Sequence, residues 1–296
     1  MVVRTLAFVW PRRSRLAPIL LLLPAAVLFS VFVLYPIVAS ISLAFYEWNG
    51  IGPRTWVGLA NFRRLLADPV FHTALYNNLT WLACIGAAPL LGLGLALMLA
   101  PPQVGNRFLR SLFFFPFVLS QVVIGMIFGW FFSANFGLFN GMLSWLGAGR
   151  VAPLENENWA ILTVIIAGLW PQTGYCMVLY LAGLTIINPA HLEAARIDGA
   201  RAWQILWHVV LPQLWPAHFI VGLVCVVSAF RGFDLVLIMT RGGPYDSSMV
   251  LGLYMYEQTF AYFRYGYGAA IATILFFFMA VGVAFFLRRM LSHEVR

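Results

Sequence analysis

The sequence predicts an all-α integral membrane bundle of six transmembrane helices with one polar helical element at one face. Three observations carry this. Hydrophobic residues make up 62% of the 296 residues and charged residues only 9%, against about a quarter in soluble domains. Six windows contain no charged residue at all: 16–46, 69–106, 111–149, 158–192, 202–230 and 265–287. Each exceeds the roughly 20 residues a helix needs to cross the hydrocarbon, where unpaired backbone is not tolerated.

The spans are placed near 17–45, 74–99, 112–133, 159–186, 213–240 and 266–289, in a single transmembrane domain over 1–296 without internal repeat or soluble domain. The run from Leu16 to Tyr46 is longer than the roughly 7–15 residues of a signal-peptide core, so it reads as an uncleaved first span. An even number of spans puts both termini on one side. That side carries Arg4, Arg12, Arg13, Arg15, Arg107, Arg110, Arg196, Arg201, Arg288, Arg289 and Arg296. The other carries Arg54, Arg63, Arg64, Arg150, Arg241 and Arg264, with Arg231 inside the fifth span. The richer side is expected to be cytoplasmic.

The net charge of +8 comes from arginine alone, because the chain contains no lysine. Arginines grouped beside apolar spans fit membrane topology better than nucleic-acid binding. The cysteines Cys84, Cys176 and Cys225 all lie in apolar windows. They form no metal spacing or disulfide framework and read as small apolar filler. Among the outer segments, 47–69 mixes Trp48, Trp56, Asn61, Phe62 and Leu65 in a pattern that predicts a short interfacial helix. Segment 241–264 opens on Arg241-Gly242-Gly243-Pro244, a turn signal.

The stretch 188–212 is out of character with its surroundings. Asn188 is suited to cap a helix that starts at Pro189, and Gly199 to end it in a left-handed turn. Ala200–Val210 then continues as a second helix before Pro212. The small residues Ala194, Ala195, Gly199 and Ala200 allow close approach of a partner backbone, and Glu193 and Asp198 offer carboxylates. Trp203, Leu206 and Trp207 lie at helical spacing to pack back on the bundle. The alternative is an ordinary loop helix in which Glu193 pairs with Arg196 at i,i+3.

Charges within spans are expensive and mark pathways. Arg231 and Asp234, at i,i+3 in the fifth span, either line or gate a solute path or form a salt bridge that orients the helix. Gln172, Tyr175 and Tyr180 in the fourth span, and more weakly Ser228 in the fifth, offer the amide, hydroxyl and ring chemistry that suits sugars, or else pack and hydrogen-bond between helices. Pro171 is placed to kink the fourth span. The five histidines form no H-E-x-x-H pattern and no serine sits in G-x-S-x-G, so no enzyme constellation emerges.

The string Glu193-Ala194-Ala195-x-x-Asp198-Gly199-Ala200, followed by Leu211-Pro212, resembles the EAA loop of membrane subunits in binding-protein-dependent ABC importers. Trp56-Val57-Gly58-Leu59-Ala60-Asn61-Phe62, Phe233-Asp234-Leu235 and Gly242-Gly243-Pro244 resemble sugar-type permeases. They point to the first of two permeases in carbohydrate importers, similar to those for maltose-type sugars or glycerol-3-phosphate. Arg241 stands where a third glycine is expected, and no large outer domain separates the early spans. The resemblance implies the type I importer fold in a bacterial inner membrane. The implied partners are a second permease subunit, a dimer of ATP-binding subunits and an extracytoplasmic solute-binding protein. Glu193, Ala194, Ala195, Arg196, Asp198, Gly199 and Ala200 would form the ATPase-coupling surface. Without a lysine the chain has no P-loop, so ATP and magnesium would bind the partner and no cofactor this chain. A non-sugar solute of the same importer class, or a self-sufficient secondary transporter, stands as the alternative.

Overall fold

The computed structural model describes residues 16–294; Arg4, Arg12, Arg13, Arg15 and Arg296 lie outside them. Four helical stretches are each long and apolar enough to cross a membrane: Leu20–Leu43, Pro69–Leu99, Ala160–Leu184 and Tyr265–Leu291. Two sharply bent helix pairs bring the count to six when each pair is taken as one broken span. Ala160–Leu184 is the central element, with most of its surface buried, whereas Leu20–Leu43 buries none of its most apolar window. The only strands described form a short antiparallel hairpin, Tyr46–Glu47 with Thr55–Trp56, and the expected interfacial helix follows at Ala60–Leu66.

The third and fifth spans are not the straight rods expected. The third is two helices, Asn106–Val118 and Gln121–Phe131, meeting at 96°. Pro116 withholds an N–H from the last turn of the first helix. Ser120 then adopts extended backbone and its hydroxyl accepts from Val123 N–H at 3.3 Å, starting a new helix in a new direction. The fifth span bends by 70° at Leu214, between Ala202–Gln213 and Trp215–Phe230. It breaks again at Arg231-Gly232 before the short helix Phe233–Met239. Pro171, by contrast, sits inside an uninterrupted Ala160–Leu184 helix.

Broken helices strand polar backbone groups where lipid offers no substitute. Here buried asparagines fill the gaps. If the fifth span ran on, the Ala229 carbonyl would accept from Phe233 N–H. That N–H donates instead to the Arg231 carbonyl at 2.8 Å. Asn78 Nδ2 donates to the Ala229 carbonyl at 3.1 Å, while Asn78 Oδ1 accepts from Leu251 N–H at 2.9 Å. One fully buried amide thus closes the end of one helix and the start of another, Leu251–Tyr256. Asn77 Nδ2 donates to the carbonyls of Ser247 and Met249 at 2.8 and 2.7 Å. At the opposite end of the same span, Asn106 and Arg110 donate to the carbonyls that end it, including Leu99.

Asp68 organises the end of the bundle where the second span begins. Its carboxylate caps that helix through Val70 N–H at 2.9 Å and accepts from the hydroxyls of Tyr267, at 2.8 Å, and Tyr254. Burial alone would push its carboxyl up. The hydrogen bonds from Tyr254, Tyr267 and the amides of Val70 and Phe71 outweigh it and hold the group below its ordinary value of 3.8. A carboxyl depressed by folding stabilises the fold above its unfolded pKa, and that contribution is lost as pH falls through the folded value.

Asp68→Ala should lower stability by about 2–3 kcal/mol through the lost cap and tyrosine bonds. In detergent, the wild-type melting temperature should drop below about pH 4 more steeply than that of Asp68→Asn; parallel curves would remove Asp68 from the acid sensitivity. Asn78→Leu, similar in size but unable to bond, should lose about 2–4 kcal/mol and increase exchange at the Leu251 amide. An unchanged melting temperature and exchange rate would contradict the role given to that side chain.

Candidate functional site

The breaks in the third and fifth spans leave a cavity of about 510 Å³ against the fourth. The fourth span contributes Gly168, Pro171, Gln172 and Tyr175, and the fifth Ser228, Arg231 and Asp234. Gln121, the first residue after the third-span break, faces it, as do Trp81 and Phe117. Tyr175 stacks on Phe117 with ring centres 4.3 Å apart and planes 11° from parallel. The wall therefore combines an aromatic platform with amide, hydroxyl, guanidinium and carboxylate groups, a set that suits a polar organic solute.

Five of the six side chains singled out for the pathway, Gln172, Tyr175, Ser228, Arg231 and Asp234, meet at this cavity. Tyr180 does not. It is buried nearer the other end of the fourth span, where its hydroxyl hydrogen-bonds His218 Nδ1 at 2.9 Å. Nor do Arg231 and Asp234 form the ion pair that was the alternative to lining a path, among the described residues. The helical register that would place them at i,i+3 is interrupted at Gly232. Trp81 packs so tightly against that glycine that a Cβ would lie 2.6 Å from the indole. Gln121, Trp81 and Phe117 were not anticipated. Pro116 and Ser120 were the available signal, since a break there is what turns Gln121 inward.

The polar element 188–212 forms at the end of the bundle opposite Asp68. Asn188 caps the helix Pro189–Ile197 by accepting from Ala190 N–H at 3.0 Å. Its far end closes as a Schellman motif, in which Gly199 N–H donates to the Arg196 carbonyl and Ala200 N–H to the Ala195 carbonyl. Gly199 carries the left-handed φ of +78° this turn needs, with open space where a Cβ would point. Glu193, Ala194, Arg196 and Asp198 are exposed, and Ala195 and Ala200 half-buried. Glu193 and Arg196 form no ion pair among the described residues, so the carboxylate is not consumed internally. Leu192 and Leu206 pack on the core. Trp203 and Trp207, expected to pack back as well, are exposed by 57% and 62%, and Ile197 by 86%. Ile205 and Leu206 occupy the inward face of this segment against the core, which leaves the two indoles outward.

Residues 88–296 match the family described as "Binding-protein-dependent transport system inner membrane component". A probable ABC transporter permease of Pyrococcus horikoshii is 37% identical over 89% of this chain and 92% of its own length. The sulfoquinovosyl glycerol transport system permease SmoG of Agrobacterium fabrum is 31% identical over 93% of this chain and 90% of its own. The multiple sugar-binding transport system permease MsmF of Streptococcus mutans is 34% identical over 85% and 87%. Among solved structures, a chain of a bacterial alginate ABC transporter, crystallised with an alginate pentasaccharide-bound periplasmic protein, superposes with a TM-score of 0.78 at 26% identity. That match covers 91% of this chain and 92% of that one. With the six crossings, the polar loop helix and the cavity, these likenesses establish that the chain belongs to the inner-membrane permease family of binding-protein-dependent ABC transport systems.

Proposed function

We propose that the chain is one of two permease subunits of a sugar importer, with the cavity as its part of the solute path and helix Pro189–Ile197 as the docking point of a separate ATPase. The observation that carries this reading is continuity along the chain. The exposed helix runs through the Gly199 turn into Ala202–Gln213, bends at Leu214, and becomes the span that places Ser228, Arg231 and Asp234 in the cavity. A push on the loop helix therefore reaches the cavity wall through one polypeptide segment. The relatives that act on sulfoquinovosyl glycerol, multiple sugars and lactose, and the alginate transporter structure, support a carbohydrate solute. They also favour a periplasmic binding protein as a partner. The arginine distribution favours cytoplasmic termini and a cytoplasmic loop helix.

In this scheme Glu193 and Asp198 meet basic groups of the ATPase, and the small Ala194 and Ala195 let its backbone approach. ATP and magnesium belong to that partner. The membrane subunits alternate between inward- and outward-facing states whose populations ATP binding shifts. Gln172, Ser228, Arg231 and Asp234 provide the hydrogen bonds for solute hydroxyls, and the Tyr175–Phe117 stack a face for an apolar ring surface.

The test is reconstitution of the whole transporter in liposomes. Gly199→Val forces a β-branched residue into left-handed backbone at a cost of about 1–2 kcal/mol and should cut coupled uptake by about tenfold. Gly199→Asn, which tolerates that backbone, should retain most of it. Equal uptake by both variants removes the turn from coupling, and uptake without any ATPase subunit overturns the importer reading. For the cavity, Arg231→Ala and Asp234→Ala should each raise the half-saturating solute concentration by about fivefold, the worth of one hydrogen bond. Tyr180→Phe should leave it unchanged. Insensitivity to both alanine changes would take the cavity out of the path.

A further inference from the structure

Behind the cavity wall lies a pair of thiols that the transport scheme does not use. Cys176 on the fourth span and Cys225 on the fifth are both buried, with sulfurs 3.9 Å apart. Gln172 lies one helical turn from Cys176, and its Nε2 reaches both sulfurs, at 3.6 Å from Cys225 and 3.9 Å from Cys176. The same Gln172 side chain lines the cavity and is 6% exposed. Its Oε1 has no hydrogen-bond partner among the described residues. The two thiols thus anchor the nitrogen of an amide whose oxygen is left to accept from whatever enters. Gly92 presses against Cys176 from the second span, where a Cβ would come within 2.6 Å of the Cys176 Cβ, so Cys176 cannot back away from its partner.

We propose that the Cys176–Cys225 dithiol is a positioning element for Gln172 and a redox-sensitive latch between the fourth and fifth spans, resting on the reading of the cavity as the solute path. A disulfide requires the sulfurs to approach from 3.9 Å to about 2.05 Å, which ties the two spans covalently to each other beside the cavity. It also moves both sulfurs from the positions at which they accept from Gln172 Nε2. The amide is released and the wall is re-formed. The oxidant is a small organic disulfide. One thiol loses its proton and attacks this disulfide, forming a mixed disulfide and releasing one small thiol. The second protein thiol displaces the other half. The net change is two protein thiols and one small disulfide converted into one protein disulfide and two small thiols, with the two protons carried away on the products. Cys84, half-buried in the second span, is the remaining cysteine and is removed in the test.

The experiment uses the assembled transporter in liposomes on a Cys84→Ala background, with 4,4′-dithiodipyridine as oxidant. Two thiopyridones released per chain, a Cys176–Cys225 linked peptide in non-reducing mapping, and a several-fold loss of uptake restored by dithiothreitol are expected. The same treatment should leave Cys225→Ala uptake unaffected. Failure to form the linked peptide, or its formation with unchanged uptake, overturns the latch. For positioning, Cys225→Ala should raise the half-saturating solute concentration by about threefold, with basal ATP hydrolysis unchanged and Cys225→Ser restoring it. Gln172→Ala separates the two readings. If Gln172→Ala shifts solute affinity and Cys225→Ala does not, the positioning role is wrong and the cavity assignment stands; if neither does, the cavity assignment itself is wrong.

Discussion

The hydrogen bonds of Asn78 are the constraint on which the rest of the structure depends. A helix that breaks inside an apolar bundle must give its stranded carbonyl a donor, because lipid supplies none and each orphan costs several kcal/mol. Asn78 meets that need at Ala229 and, with its other atom, starts the helix Leu251–Tyr256. Once those two groups are satisfied, the chain is free to depart from helix at Arg231-Gly232. Only because it departs do Arg231 and Asp234 turn into the cavity rather than pair along a continuous helix. Asn77, the neighbouring residue, holds the carbonyls of Ser247 and Met249. Two adjacent amides in the second span thus support both the floor of the following outer segment and the mouth of the cavity.

The same logic separates rigid from movable parts. The fourth span is uninterrupted and mostly buried, which suits a fixed wall. The fifth carries a bend at Leu214, a π-turn just before it and the Arg231-Gly232 break. Its two ends can therefore change angle without unfolding the middle. Such discontinuities are where a packed bundle absorbs φ/ψ changes. The polar loop helix stands directly before this most jointed span, so a displacement of residues 189–197 would pass along a single segment to residue 239.

Much of this was legible in the sequence. The six crossings follow from charge-free windows, because a single charge in lipid is costly enough to be informative. The cap at Asn188, the start at Pro189 and the left-handed Gly199 follow from local backbone preferences, which the surroundings did not override. Five of the side chains that meet at the cavity were recognisable because polar residues in apolar windows are rare. Tertiary arrangement was not legible. Periodicity does not report a 96° bend when both halves are apolar, so Gln121 went unseen. A salt bridge inferred from i,i+3 spacing presumes an unbroken helix, and Gly232 breaks it. Trp203 and Trp207 were expected inside from helical spacing, but Ile205 and Leu206 take the inward face and leave both indoles exposed.

The cysteines show how burial and function intersect. By sequence they were filler in apolar windows, and for Cys84 that description holds. For Cys176 and Cys225 the relevant fact is relational: each occupies the helix face that meets the other, beside the one amide that reaches through to the cavity. A thiol is a poor hydrogen-bond partner, and Gln172 is held by two of them where a serine or asparagine would hold it more firmly. Loosely held, the amide can follow a change in the spacing of the fourth and fifth spans, the motion that a push along residues 189–239 would produce. Weak support at Gln172 thus leaves one side chain of the otherwise fixed fourth span free to follow the jointed fifth.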